Sequence, residues 1–223
     1  SGEVWNGLVK YFQLRDNRKL SSTVSGSADF SCEIFTNQRI IRTGLIDSLP
    51  RYNAIWADIL CNKDTLRVIN LHLQSTTITA QDIEFVEGHQ YVTDSARNSK
   101  IKSIADRLVE NNIYRSAQAR KVAQFIEQSR PMKMVVCGDF NDVIISYSYQ
   151  TILGDLLTDA HTESGFGYNY TYNENGFFFK IDHILHSKDI SSHNFMVDRL
   201  NYSDHYPIRC TLTFPNSKKV SQK

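Results

Sequence analysis

The spacing of apolar residues changes along the chain, and those changes limit what it can fold into. Up to residue 73 the apolar segments are short and strand-like: "FSCEIFT" (30–36), "RIIRTGLI" (39–46), "AIWADILC" (54–61) and "TLRVINLHL" (65–73). "NKD" signals a turn between the last two, so an antiparallel meander is expected. From Lys100 the period lengthens. Ile101, Ile104 and Leu108 fall on one helix face, as do Ala119, Val122, Ala123 and Ile126. Asn111–Asn112 is expected to separate two helices, and Pro131 to end the second. "MKMVVCG" then reads as a short buried strand, and "SYSYQTILGDLL" (146–157) as a helix capped by Ser146. "YNYTYN", "FFFKIDHIL" and "HYPIRCTLTF" return to strand character. Residues 75–98 are polar and give no clear period. This order predicts an α/β domain whose helices cover sheet faces.

A chain of 223 residues suits one large domain or two small ones. Its net charge of +1 gives no basic footprint for a long nucleic-acid track, but leaves room for a locally bound phosphate. No apolar run reaches membrane-span length and no signal peptide opens the chain. The leading Ser1-Gly2 is compatible with a cloning remnant, so the natural start is expected elsewhere. Cys32, Cys61, Cys137 and Cys210 each sit in or beside an apolar run. None forms a CxxC pair, so four buried free thiols are expected rather than zinc ligands.

Four polar clusters end or begin these strands. In "VINLHLQS", Leu66, Val68, Asn70 and His72 alternate onto one face, which delivers His72 at the rim. A single histidine there is more often structural than catalytic. In "VVCGDFND", Asp139 and Asn141 lie two apart, and Gly138 leaves room for a ligand or a neighbouring backbone. An Asx-rich turn accounts for most such pairs. In "KIDHIL", Asp182 sits between Ile181 and Ile184, where a carboxylate needs a partner, and a histidine is the obvious one. In "SDHYP", Asp204 and His205 precede the last strand, and a turn is again the plain reading. Together the clusters supply three Asp, one Asn and two His at strand ends. Such a set suits metal-assisted phosphoryl chemistry, with a hard cation on oxygen ligands, a carboxylate or imidazole as base, and an imidazolium beside the developing charge.

The ordered motifs "NLHLQS", "RSAQARKVAQFI", "VVCGDFND", "SYSYQTI", "GFGYNYTY", "FKIDHIL" and "SDHYPI" resemble the endonuclease/exonuclease/phosphatase superfamily, in particular its Bacteroides-type branch. The resemblance implies the deoxyribonuclease I-like fold, a two-sheet mixed β-sandwich flanked by helices in four layers, over residues 30–215. It leaves 1–29 as a weakly patterned segment and 216–223 as a polar tail. It implies that His72 contacts the scissile phosphate, Asp139 positions or deprotonates the attacking water, and Asn141 holds a phosphate oxygen. By the same likeness Asp182 pairs with the last histidine, Asp204 is metal-associated, and His205 stabilises the transition state. Asn70 and Ser75 are weaker candidates for substrate contact. Mg²⁺, with Mn²⁺ as a possible substitute, is the implied cofactor. The implied substrate is a phosphate ester: nucleic acid, nucleotide or phospholipid head group. No obligate protein partner is evident. Envelope-associated relatives carry an N-terminal membrane region, so anchoring of that kind is the expectation for location.

Two departures qualify the likeness. The family's opening strands, ending in Asn and then in Gln-Glu, supply its principal Mg²⁺ ligand, and neither is found here. Glu3 and Asn6 do not end an apolar strand. The chain is expected to begin after those strands, and sheet edges left by their absence would invite self-association. Glu33 stands where the family has a small residue, and a solvent-facing or locally paired carboxylate is expected. Two functions therefore stay open: a metal-dependent phosphodiesterase or phosphatase, and a non-catalytic binding module on the same fold. For the former, Arg115, Arg120 and Lys180 are available as phosphate contacts, although a solvated helix face explains the first two better. A helical adaptor is excluded by the strand-rich pattern.

Overall fold

The computed structural model describes residues 16–19, 32–46, 53–61, 64–77, 79–88, 94–174, 177–200 and 202–214. In chain order the first strands are β1 (Asp16–Lys19), β2 (Glu33–Thr36), β3 (Arg39–Leu45), β4 (Asn53–Cys61) and β5 (Asp64–His72). Helices α1 (Ala80–Glu87) and α2 (Asp94–Gln128) lead to β6 (Lys133–Asp139). Then come α3 (Tyr147–Leu153), β7 (Leu157–Asp159), α4 (Ala160–Ser164), β8 (Tyr172–Glu174) and β9 (Phe177–Phe179). The chain closes with β10 (Asp182–Ser187), β11 (Ser191–Val197) and β12 (Ile208–Thr213).

Six strands form one mixed sheet in the order β3-β4-β5-β6-β10-β7. The meander β3–β4–β5 is antiparallel, as its turn signal predicts. β5 and β6 run parallel, which requires a crossover, and α1 with α2 make it. β10 returns antiparallel to β6 and β7. One sheet face carries Ile69, Leu71, Met134, Val136 and Leu185, packed under Ala119, Val122 and Ile126 of α2 and Tyr149 and Ile152 of α3. The other face packs against two-stranded ribbons. Leu66, Val135 and Ile184 meet Phe195 of β11 with Ile208 and Leu212 of β12, while Ile55, Ala57 and Ile59 meet Ile34 of β2. Each fully buried side chain of this size contributes about 1.5–3 kcal/mol through removal from water. The expected sandwich with helices outside is therefore the fold. β1 pairs with β2, so a strand lies within the weakly patterned 1–29 segment.

The helical region differs from its sequence reading. α2 is one helix of 35 residues, and Asn111–Asn112 does not interrupt it. Asn111 sits on the buried stripe that continues through Arg115, Gln118, Val122 and Ile126. Its amide donates to Thr76 O at 3.0 Å and Thr77 Oγ1 at 2.7 Å, and its oxygen accepts from Gln74 Nε2 at 3.0 Å. An Asn in a helix interior costs only about 0.7 kcal/mol of propensity, which these three bonds offset. The stripe turns polar because the helix runs off the sheet and covers the loop after β5. In the unassigned 75–98 segment, Thr79 and Asp82 form a capping box that starts α1. Asp82 is buried against Lys100 and Arg107 of α2. A backbone bond at Thr79 and these two cations hold its carboxyl well below the usual range. Among the described residues no helix is long and apolar enough to cross a membrane.

Candidate active site

Strand register assembles the site. His72 ends β5 and pairs with Asp139 at the end of β6; Asp139 in turn lies opposite Asp182 at the start of β10. Residues paired this way project from one face, so three side chains stand at the same level on three adjacent strands. That face is the ribbon side, at the rim of the sandwich. A cleft of about 350 Å³ opens there, lined by Cys32, Glu33 and Phe35 of the β2 region, Asn70, Leu71 and His72 of β5, and Asp139. His205 enters from the segment between β11 and β12, fixed by a β-bridge to Tyr172 and by the Tyr172 ring against its own, with centroids 5.2 Å apart.

The polar contacts are specific. His205 Nδ1 lies 2.8 Å from Asp182 Oδ2, the histidine partner that a strand-bound carboxylate demanded. Thr171 Oγ1 accepts from the amides of Ile181 and Asp182, both at 3.1 Å, and so sets the start of β10. Asp139 Oδ1 accepts from the Asn141 amide at 2.7 Å, and its Oδ2 accepts from Asn141 Nδ2 at 2.9 Å. Asn141 adopts φ 50°, a left-handed conformation that asparagine tolerates, and Nδ2 also donates to Leu73 O at 3.0 Å. His72 Nε2 is 3.6 Å from Asp139 Oδ2. Gly138, at φ 133°, lets the strand end approach Leu71: a Cβ there would fall 1.9 Å from Leu71 O. The close neighbour allowed by this glycine is a backbone.

These contacts bias the charges. Burial and the nearby Asp182 raise the Asp139 carboxyl to about 7, against the pull of His205 and the Asn141 amide. Burial opposes charge on His205, but the hydrogen bond and charge of Asp182, helped by Asp139 and Asp204, raise it to about 9. Burial and the charge of His205 lower His72. At neutral pH the site therefore holds an imidazolium at His205 and a neutral imidazole at His72. With Nδ1–H directed at Asp182, His205 keeps Nε2–H as a donor.

Asp139, Asp182 and His205 offer ligand atoms within 4.8 Å of one another. Hard divalent cations take one or two carboxylates and keep several waters, and the two aspartates fit that demand. Asp204 stands outside this cluster, exposed, with Ser203 Oγ donating to it at 2.8 Å. Asn70 lines the cleft while donating to Glu33 O at 2.9 Å. Ser75 is not among the cleft residues; its Oγ accepts from the Thr77 amide at 3.2 Å. Glu33 is half-buried along the cleft wall, and Glu3 and Asn6 lie outside the described residues. Cys32 is buried and the other three thiols are half-buried; burial pushes Cys32 up to about 12.

Two cations depart from the sequence reading. Arg115 is not on a solvated helix face: it is 2% exposed and bonded to Asp142 and Gln74. Lys180 is also buried, 2.8 Å from His183 Nδ1 and 3.4 Å from Asp159 Oδ2. Arg120 is exposed, as expected, near Tyr147 OH. Sequence reasoning missed Thr171, Tyr172 and Asp142. Only Asp142 carried a signal, as the second acid of "GDFND".

A six-stranded sheet with helices on one face, ribbons on the other and this rim is a deoxyribonuclease I-like sandwich. A model of the Endonuclease/Exonuclease/phosphatase family matches residues 87–205, just over half of the chain. The chain belongs to that family, which places it among hydrolases of phosphate esters. A search of curated protein sequences gives no match. Solved structures share the fold at low identity. A mannosyl-6-phosphatase of Bacteroides thetaiotaomicron superposes with a TM-score of 0.62 at 14% identity, over 95% of this chain and 90% of that one. The human Nocturnin catalytic domain with bound sulfate gives 0.63 at 18%, over 95% and 76%. D. rerio TDP2 complexed with single-strand DNA product gives 0.61 at 15%, over 94% and 82%.

Proposed function

We propose that the protein is a metal-dependent phosphodiesterase or phosphatase in which water attacks phosphorus in line. The observation that carries this reading is the convergence of His72, Asp139, Asp182 and His205 at one rim of the sandwich, beside the cleft. Asp139, once deprotonated, accepts the proton of the attacking water, and Asn141 aims it. His205, held by Asp182, directs Nε2–H at a phosphate oxygen and steadies charge as it develops. His72, neutral, contacts the phosphate and assists the leaving oxygen. The carboxylates of Asp139 and Asp182, with Asp204 as a further candidate ligand, would hold Mg²⁺ or Mn²⁺, which would supply neutralisation of the phosphate oxygens. Asn70 is a wall of the substrate site; Ser75 belongs to the adjoining loop. Relatives of the same fold include a sugar phosphatase, and a protein seen with a DNA product. A phosphate ester of a nucleotide, nucleic acid or phospholipid head group is the proposed substrate.

The test is hydrolysis of bis-p-nitrophenyl phosphate and nicked DNA with Mg²⁺ or Mn²⁺, repeated with chelator. Turnover that disappears in Asp139→Ala supports the reading. Phosphate-ester binding without turnover, in the presence of either metal, would point to a binding module instead.

A further inference from the structure

The loops that follow His72 and Asp139 are joined by a buried guanidinium that the proposed chemistry does not use. Arg115 lies on the inner stripe of α2 and is 2% exposed. Its Nη1 donates to Gln74 O at 2.7 Å, two residues beyond His72. Its Nε donates to Asp142 Oδ2 at 3.0 Å, one residue beyond Asn141, and Nη2 reaches Asn112 Oδ1 on its own helix. Asp142 is gripped a second time through its main chain, because His183 Nε2 donates to Asp142 O at 3.0 Å. A carbonyl only accepts, so His183 carries its proton on Nε2, and Nδ1 accepts from Lys180 Nζ at 2.8 Å.

We infer that Arg115 is a positioning residue that splints the loops following β5 and β6 and, through Asp142, fixes the Asn141 side chain that orients the Asp139 carboxylate. It touches no reacting atom. Asn141 spans the same gap from the site side, through Nδ2 to Leu73 O and to Asp139 Oδ2. Its left-handed backbone leads directly into Asp142, the residue that Arg115 anchors. The planar fork of arginine bonds a carbonyl and a carboxylate in different directions at once. Lysine, a point charge on a flexible stem, keeps the charge and loses that fork.

This inference rests on the catalytic reading for its kinetic arm but not for its structural arm. The kinetic arm measures Arg115→Lys on bis-p-nitrophenyl phosphate with Mn²⁺. kcat is expected to fall about 10- to 100-fold, the cost of misplacing a catalytic group by about an ångström. KM should stay within about twofold, because the substrate's own contacts are intact. The structural arm follows hydrogen exchange of the Asn141 side-chain amide and the Arg115 Nε–H by NMR. Both are expected to be slow in the unmodified protein, and the Asn141 amide to exchange faster in the variant. Undiminished kcat in folded Arg115→Lys, or an Asn141 amide whose exchange is unchanged, overturns the role. Should Arg115→Lys fail to fold, Asp142→Asn carries the same two readouts. Rapid Arg115 Nε–H exchange in the unmodified protein overturns the splint without any variant. An unmodified protein that cleaves no ester refutes the catalytic reading alone, and the exchange data still decide the role of Arg115.

Discussion

Asp139 and His205 face opposite demands, since one must lose its proton and the other must keep it. With Asp139 raised to about 7 and His205 to about 9 in the metal-free site, the metal-free protein is expected to titrate a carboxyl through pH 7 and an imidazole through pH 9, and a bound cation to lower both. An NMR titration from pH 5 to 10, without and with Mg²⁺, checks this. Asp182→Asn removes the group that does most to raise His205, so its imidazole titration should move from about 9 toward the ordinary 6.5. A His205 titration that stays in place would assign its shift to another group. Both shifts are upward, so both contributions to stability act at low pH. The His205 contribution is complete below 6.5 and is lost as pH climbs through 9; that of Asp139 is complete below 3.8 and is lost through 7. At this scale the sequence was informative where an isolated residue broke a rule. A carboxylate between Ile181 and Ile184 required a partner, and His205 is bonded to it. Arg115 broke no rule visible in sequence. A buried arginine and a solvated one occupy the same helical spacing, and only the fold shows the Gln74 carbonyl and Asp142 beneath it.

At the scale of elements, polar residues on a buried stripe decided what could be read. Strands β3, β4, β5, β6 and β12 were legible because their apolar residues alternate or run together. β7, α4 and β11 were not, being short or of mixed polarity. α2 was divided in two because Asn111 looked like a breaker, whereas it is the polar end of the stripe. Asn111→Ala leaves groups of Gln74, Thr76 and Thr77 without their partner. Stability should fall by about 1–3 kcal/mol, measured by urea unfolding, with the helix content of the native state retained. The end of β6 gives a harsher case. Gly138→Ala sets a Cβ against Leu71 O in a backbone conformation that L side chains rarely adopt. The loss should exceed about 2 kcal/mol, and activity should fall with it because Asp139 is the next residue.

At the scale of the molecule, the two faces of the sheet divide the work. The helical face carries the apolar core, and the ribbon face carries a second core that opens into the cleft. A cation bound by Asp139 and Asp182 links that rim to overall stability, since ligands held only by the native state shift unfolding by mass action. Raising Mg²⁺ or Mn²⁺ should therefore raise the thermal midpoint, and the rise should vanish in Asp182→Asn; a midpoint indifferent to both metals would move the ion elsewhere. The fold class was legible from the order of strand and helix periods together with the family likeness. The second layer as paired ribbons was not, because pairing between distant strands leaves no local trace in sequence.

The site has two kinds of foundation. His72, Asp139 and Asp182 are rungs of one hydrogen-bonded ladder, and none can shift against the others without unzipping it. His205 comes from a connecting segment moored to β8, where Asn173 N donates to Asp204 O at 2.9 Å and Tyr206 N to Thr171 O at 2.7 Å, and its own ring is bonded to Asp182. Three sides of the vice are cast into the sheet, and the fourth is bolted to it through β8 and Asp182.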